Sequence, residues 1–600
     1  MNEQKNMLVA AVLSFAVIAL WFFLFPPAPP EPPAPAVTQE LSQPFPGAPT
    51  SDSAPRTGTG AMGAGEDAAP AAAAAPRLRI DSPRVTGSLS LRGGRLDDLL
   101  LDDFRVTLDP ASDPVRLLAP VSDRHPFYIV YGWLPTAERP VRTPGPNTDW
   151  QVERGDVLSP GRPVTLVWDN GEGLIFRRDV ALDDNFMFTV RQSVENRTGE
   201  EITLAPYGYV ARRGEPDTVD FYILHEGAIG KFDGVLKELS YRRMRNLDGL
   251  GGPGERQEVV SVQEAGWLGF TDKYWMATLI PPAGQNFDAV FKFVQLQSGP
   301  EYRTEMRLPL VTVGPGATQG FETRLFAGAK EFATIRDYER SGIPRFLDSI
   351  DWGWFFFLTK PFLQFLLFFY NLIGNMGWAI IALTLVIKIV LLPLAWKSYV
   401  AMSKMKKLQP EMEKIKERVG DDRMKMQQEM IALYKREKAN PAAGCVPIIL
   451  QIPIFFALYK VIFISLEMRH APFILWVRDM SAPDPTSWIN VFGLLPFNAP
   501  DPTSIFGIVS IGVFPILLGV TMWMQQKLNP APTDKMQATI FAWMPWVFMF
   551  LLGQFAVGLV IYWVANNIIT FVQQYLIMRS QGVDVNFLGN VKQSLKRKKA

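Results

Sequence analysis

Lys388 stands inside the apolar run 375–394 (NMGWAIIALTLVIKIVLLPL), with Thr384 four residues before it. Positions four apart share one helix face, so a hydroxyl and an ammonium lie on the same side of a segment long enough to cross a bilayer. A second polar set occupies the last apolar stretch. Trp563, Asn567, Thr570 and Gln574 recur at helical spacing, with Asn566 beside them. Gln451 and the pair Gln525-Gln526 add carboxamides to two further apolar segments. Such groups can hold water, hydrogen-bond an extended backbone and attract an acidic segment. Keeping a cation at mid-bilayer costs about 2.5–3.5 kcal/mol even on lenient insertion scales. No acidic residue lies in the apolar runs to neutralise it. Lys388 therefore reads as functional, a lone intramembrane cation facing a wet cavity. Taken singly, the amides and hydroxyls also fit ordinary interhelical hydrogen bonding.

Other chemistries are missing from the sequence. There is one cysteine and three scattered histidines, which excludes an intramolecular disulfide and a Cys/His metal cluster. No Gly-x-x-x-x-Gly-Lys phosphate loop occurs, and no Asp/Glu relay runs through the apolar segments. The sequence predicts no catalytic residues, no metal and no cofactor, hence no enzyme.

These groups need elements to position them. Residues 7–25 are apolar and just long enough to span, and proline follows at once, which favours an uncleaved anchor over a signal peptide. Residues 26–76 are rich in Pro, Ala and Gly, a disordered tether. Over 77–340, short β-branched and aromatic stretches alternate with turn residues. Leu174–Val180 and Phe186–Val194, separated by Ala-Leu-Asp-Asp-Asn, read as a hairpin, and 268–281 with 289–295 looks similar. This predicts a large all-β sandwich. Beyond 350 the texture is membrane-grade, with a helical core expected over 350–580. Spans are expected at 375–396, 445–466, 505–524, 538–553 and 555–577, which with 7–25 makes six.

Charge sets the predicted topology. The basic stretch 397–438 and the basic tail 581–600 belong in the cytoplasm under the positive-inside rule. That puts both termini inside and the β domain outside. The helix at 352–370, with Lys360, Gln364 and Asn371 on one edge, is then interfacial. The cytoplasmic segment 399–440 reads as a helical hairpin. Pro410 starts one helix, Gly420-Asp421-Asp422 forms the turn, and Met412, Met426 and Met430 sit on apolar edges. The hairpin is either a solvated element or an adaptable apolar receiver. The tail either solvates the surface or touches ribosomal RNA or anionic lipid.

At the level of whole motifs, the run LVIKIVLLPLAWKSYVAMSKMKKLQPEMEKIKERVGDD resembles the bacterial YidC membrane protein insertase family. So do ALYKREKANPAAGCVPIILQIPIFFALY, SLEMRHAPFILWVRDMSAPDP and GLVIYWVANNIITFVQQYLI. The likeness is close over 350–580 and looser before it, where FAGAK at 326–330 also fits. It implies a membrane protein insertase and chaperone in a bacterial inner membrane, acting alone or beside the Sec translocon. Nascent membrane proteins, the Sec translocon, the ribosome and membrane lipid are the implied partners. The client-binding groove would comprise Lys388, Thr384, Gln451, Trp563, Asn566, Asn567 and Thr570, open to the cytoplasm. The family usually carries arginine where this chain has Lys388, so the positive charge persists without the fork of donors. The β domain resembles a galactose-mutarotase-like supersandwich, for which a docking or spacer role is expected. Residues 486–504 look like an insertion. The rival reading is a solute transporter or channel with a periplasmic sensing domain, and an internal repeat that would favour it is not seen.

Overall fold

The computed structural model describes residues 75–583, apart from 137–139, 217–223, 252–253, 421, 438–445, 496–509 and 530–534. The expected anchor at 7–25, nearly all of the tether and the tail beyond 583 lie outside the described residues, as does part of the 486–504 insertion.

Period-two burial builds the first half of the chain. Strand Leu174–Leu182 buries Leu174, Phe176, Val180 and Leu182. It pairs antiparallel with Met187–Asn196, Phe188 facing Leu182 and Asn196 facing Leu174. Asp183 closes the turn, its Oδ1 accepting from the backbone N–H of Asn185 and of Met187, both at 2.9 Å. The strands assemble into a 12-stranded and a 9-stranded sheet. Inner-face aromatics join the two sheets: Trp133 meets Phe176 at 6.2 Å between ring centres, and Phe232 meets Phe291 at 5.9 Å. The domain is all-β, as its turn-punctuated sequence predicts.

The second expected hairpin is not one. The run 268–281 itself holds two strands, Gly266–Thr271 and Trp275–Ile280, which pair with each other around a turn at Asp272-Lys273-Tyr274. Strand Phe287–Leu296 belongs to the other sheet, between Glu255–Val262 and Gly299–Arg307. The turn carries no glycine or proline to mark it, and both strands are buried almost throughout, so the two read as one run. The crossing at Pro281-Pro282 instead moves the chain between sheets.

Lys330, at the end of strand Thr318–Ala329, is buried and donates to Thr271 Oγ1 at 2.8 Å. Burial pulls its ammonium down to about 8, against the opposing pull of Asp272, Asp351 and Glu226. A lysine whose folded value is depressed destabilises the fold wherever it must stay charged. Stability is therefore gained as pH rises from about 8 toward the ordinary 10.5 and is lost as pH falls through about 8. Lys330→Met should raise the melting temperature of the full chain in detergent at pH 7, by about 1–2 kcal/mol of stability. The gain should shrink at pH 10. An unchanged or lower melting temperature at pH 7 counts against a costly buried charge.

Helices make the second half. Helix α1 (Phe332–Arg340) leaves the β domain, and α2 (Phe356–Ile373) buries Thr359, Leu363 and Leu366 along one edge. Gly374 ends α2 at φ +74°, its N–H donating to Tyr370 O at 2.7 Å. This left-handed stop suits glycine, which has no Cβ to clash. Among the described residues α2 is the single helix that is by itself long and apolar enough to cross a membrane. Next come α3 (Met376–Val390), α4 (Leu392–Val419), α5 (Arg423–Arg436) and α6 (Val446–Ile464). They are followed by α7 (Val513–Gln526), α8 (Lys535–Leu552) and α9 (Val557–Ser580).

Two sequence expectations change here. The span expected at 375–396 is broken, because α3 and α4 meet at 67°. Pro393 follows the break, lacks an N–H and disfavours helical geometry in the residue before it. Pro410, expected at a helix start, lies inside α4. One proline forfeits a single backbone bond, and the remaining turns carry the helix through. Helices α4 and α5 are tied side by side by Arg436–Glu411 at 2.7 Å and by an Arg418–Glu429 pair.

Candidate functional site

The break after α3 decides where Lys388 sits. It lies in the last turn of α3 rather than at mid-helix. The negative end of the helix dipole favours a cation there by about 0.3–1 kcal/mol. Its Nζ donates to Gln451 Oε1 of α6 at 3.3 Å, and Gln451 Nε2 donates to Tyr562 OH of α9 at 2.8 Å. Among the described residues no carboxylate pairs with Lys388, so a carboxamide and a phenol hold it. The ammonium is thus partnered, contrary to the sequence expectation, but it is not neutralised.

Around this chain lies a cavity of about 430 Å³. Lys388, Gln451, Gln525, Trp563, Asn566, Thr570 and Gln574 supply its polar lining. Ile452, Phe455, Phe456 and Phe548 supply apolar wall, and Tyr399, Met402 and Asn529 close it. Helix α9 contributes most because it packs against α3, α6 and α7 and turns its 563–566–570–574 face inward. Trp563 is wedged between Phe455 at 4.7 Å and Phe548 at 5.9 Å. Asn566 Oδ1 and Thr570 Oγ1 are buried with no hydrogen-bond partner. A buried acceptor left unpaired costs about 1–3 kcal/mol, so these two residues of the wall hold unused hydrogen-bonding capacity.

Two expected groove residues lie outside the lining. Thr384 is buried in α3, its hydroxyl donating to Ile380 O at 2.7 Å. Asn567 faces α7 and donates to Thr521 Oγ1 at 3.3 Å. Both join helix to helix or turn to turn. Spacing alone could not separate Asn567 from Asn566, because adjacent residues on a helix differ by only about 100°. Of the expected hairpin methionines, Met412, Met426 and Met430 are half-buried, and Met412 Sδ meets Tyr434 OH at 3.9 Å. Met424 is the more exposed methionine there, at 61%.

The sequence reading also passed over Tyr562, Tyr399, Asn529 and Gln573, whose Nε2 reaches Lys388 O at 3.4 Å. Tyr562 was findable, since it stands four residues before Asn566. Lys388 is not the single cation of the apolar helices either: Lys460 lies in α6, paired with Asp351 at 2.7 Å. Among the described residues no group of acidic, histidine or cysteine side chains is placed to hold a metal ion.

Comparison with known proteins gives the family. The family model described as the YidC periplasmic domain matches residues 77–365, and that of the 60Kd inner membrane protein matches 368–583. The membrane protein insertase YidC of Dinoroseobacter shibae is 55% identical over all of this chain and 99% of its own. That of Jannaschia sp. is 52% identical over the same shares. A solved active YidC insertase, with its first transmembrane domain resolved, superposes over 84% of this chain and 95% of its own. Its TM-score is 0.35 and its identity 18%, too distant to bear on detail. Fold and site define a helical membrane protein with a polar cavity among its helices and a large all-β periplasmic domain. The chain belongs to the YidC family of membrane protein insertases.

Proposed function

We propose that this chain inserts nascent proteins into the bacterial inner membrane, and chaperones their folding there, through the cavity under Lys388. The observation that carries the reading is an un-neutralised ammonium lining one cavity with Asn566 and Thr570 of α9, each with a hydrogen-bonding oxygen left unpartnered. In this mechanism the cavity opens to the cytoplasm and shortens the apolar distance a polar segment must cross. A client's short hydrophilic end, often acidic, enters and is drawn to Lys388. Asn566 and Thr570 offer its backbone the hydrogen bonds that lipid cannot. The client's apolar segment then slides out past Phe456 and Ile452, both partly exposed, into lipid. Burial of that segment supplies the driving force, about 25 cal/mol per Å². No fuel and no covalent step is required.

The proposed topology keeps six spans with both termini cytoplasmic, α2 at the outer surface and α4–α5 as a cytoplasmic hairpin. Counting α2 as a further span would put both basic segments outside, against the positive-inside rule. Nascent membrane proteins are the clients, the Sec translocon an alternative docking partner, and the ribosome and anionic lipid contacts of the basic tail. The transporter reading finds no support among the relatives, which carry the insertase name.

Photocrosslinking tests the route. A photoreactive residue in place of Trp563 should capture a ribosome-bound client. The same residue in place of Ile568, on the exposed side of α9, should capture much less. Equal capture at both positions, or none at Trp563, would overturn the cavity as the path.

A further inference from the structure

The mechanism leaves the buried charge of α6 unused. Lys460 is 6% exposed and sits in the outer part of α6. Its ammonium meets Asp351 Oδ2 at 2.7 Å. Asp351 lies on the connection between α1 and α2 and is itself held. Its Oδ2 also accepts from His225 N at 3.1 Å, and its Oδ1 from Gly353 N at 3.1 Å. Gly353, at φ +67°, lies against the lysine's methylenes, where a Cβ would come within 3.4 Å. Two further contacts join the same end of α6 to the β domain. Lys273 Nζ stands 3.9 Å from the centre of the Phe463 ring. Glu467, just past α6, accepts from Phe332 N at 3.2 Å, the first residue of α1.

We infer that Asp351 and Lys460 are positioning residues, through which the periplasmic domain holds α6 as a fixed post for the groove. The groove reading above is its premise. Gln451, which holds Lys388, lies nine residues from Lys460 on the same helix, about 13 Å along the axis. Pro453 lies between them and removes one backbone bond beside Gln451, so the inner end of α6 bends more readily than the outer. With the outer end clamped, bending at Pro453 is the motion left to the helix. That motion moves Gln451 relative to Lys388 and Tyr562. Released from Asp351, α6 can turn or slide as a whole, and the Gln451 contact loses its register.

The test uses the full chain in membranes. Client insertion per molecule and client crosslinking from position 563 are compared for Lys460→Gln, Lys460→Arg and the swapped pair Asp351→Lys with Lys460→Asp. Lys460→Gln should lower both readouts by roughly tenfold, as for a buried pair deprived of one partner. Lys460→Arg or the swapped pair should restore them. Insertion by Lys460→Gln at the wild-type level overturns the inference, and so does loss in both charge-preserving variants. Failure of the groove reading would show separately, as absent crosslinking from position 563 in the otherwise unaltered chain.

Discussion

Lys388→Glu is expected to abolish growth of a strain depleted of its own insertase, whereas Lys388→Arg should support it. The glutamate reverses the one charge at the cavity wall and repels an acidic client end. It also sets a carboxylate opposite the Gln451 oxygen that now accepts from the ammonium at 3.3 Å. Arginine keeps the charge and adds donors in a fork. Insertion measured in membranes should fall by roughly tenfold or more for the glutamate, a difference of about 1.4 kcal/mol or larger. Lys388→Gln should lie between the two, because it keeps a donor for Gln451 but offers no charge. Equal growth of the glutamate variant and the wild type would end the proposal that the groove acts through charge.

The second large effect is on stability, in the β domain. Glu301, on strand Gly299–Arg307, is 0% exposed. It accepts from Tyr128 OH at 2.9 Å, from Arg303 Nε at 2.5 Å and from Arg213 Nη2 at 3.2 Å. Glu301→Ala would strand two guanidinium groups and a phenol on the 12-stranded sheet. Removing one partner of a buried pair costs about 3–5 kcal/mol. At about 2–4 °C per kcal/mol for a domain of this size, the β-domain transition should drop by about 6–20 °C. Arg162→Ala is the contrast. Its pair with Asp156 has side chains 67% and 82% exposed, and exposed pairs are worth about 0.2–1 kcal/mol. Thermal unfolding of the full chain in detergent reads both. A drop for Glu301→Ala no larger than for Arg162→Ala would mean that the buried cluster contributes nothing net.

Which parts of this molecule were readable beforehand follows from how far each signal reaches. The hairpin 174–182 with 187–196 was legible because alternation and an Asp-Asp-Asn turn are local. Strand 287–296 was misplaced because sheet membership depends on pairings far along the chain, to 255–262 and 299–307. The inward face of α9 was legible from its period. Its division into cavity wall and helix contact was not, since Asn567 meets Thr521 while its neighbour Asn566 faces the void. Pro393 was visible, but the size of the bend it marks was not.

The residues alone determined that a cation lies among apolar helices with no acid in the same segments, that a β-rich domain precedes them, and that basic stretches flank them. Composition and short periods carry those facts, so they survive without coordinates. Tertiary structure alone decided that Lys388 ends a helix and rests on Gln451, that Lys460 is answered by Asp351, and which amides line the cavity. Each of those outcomes needs groups brought together from distant parts of the chain. Hydrogen bonds and ion pairs act over a few ångströms in space, whatever the separation in sequence.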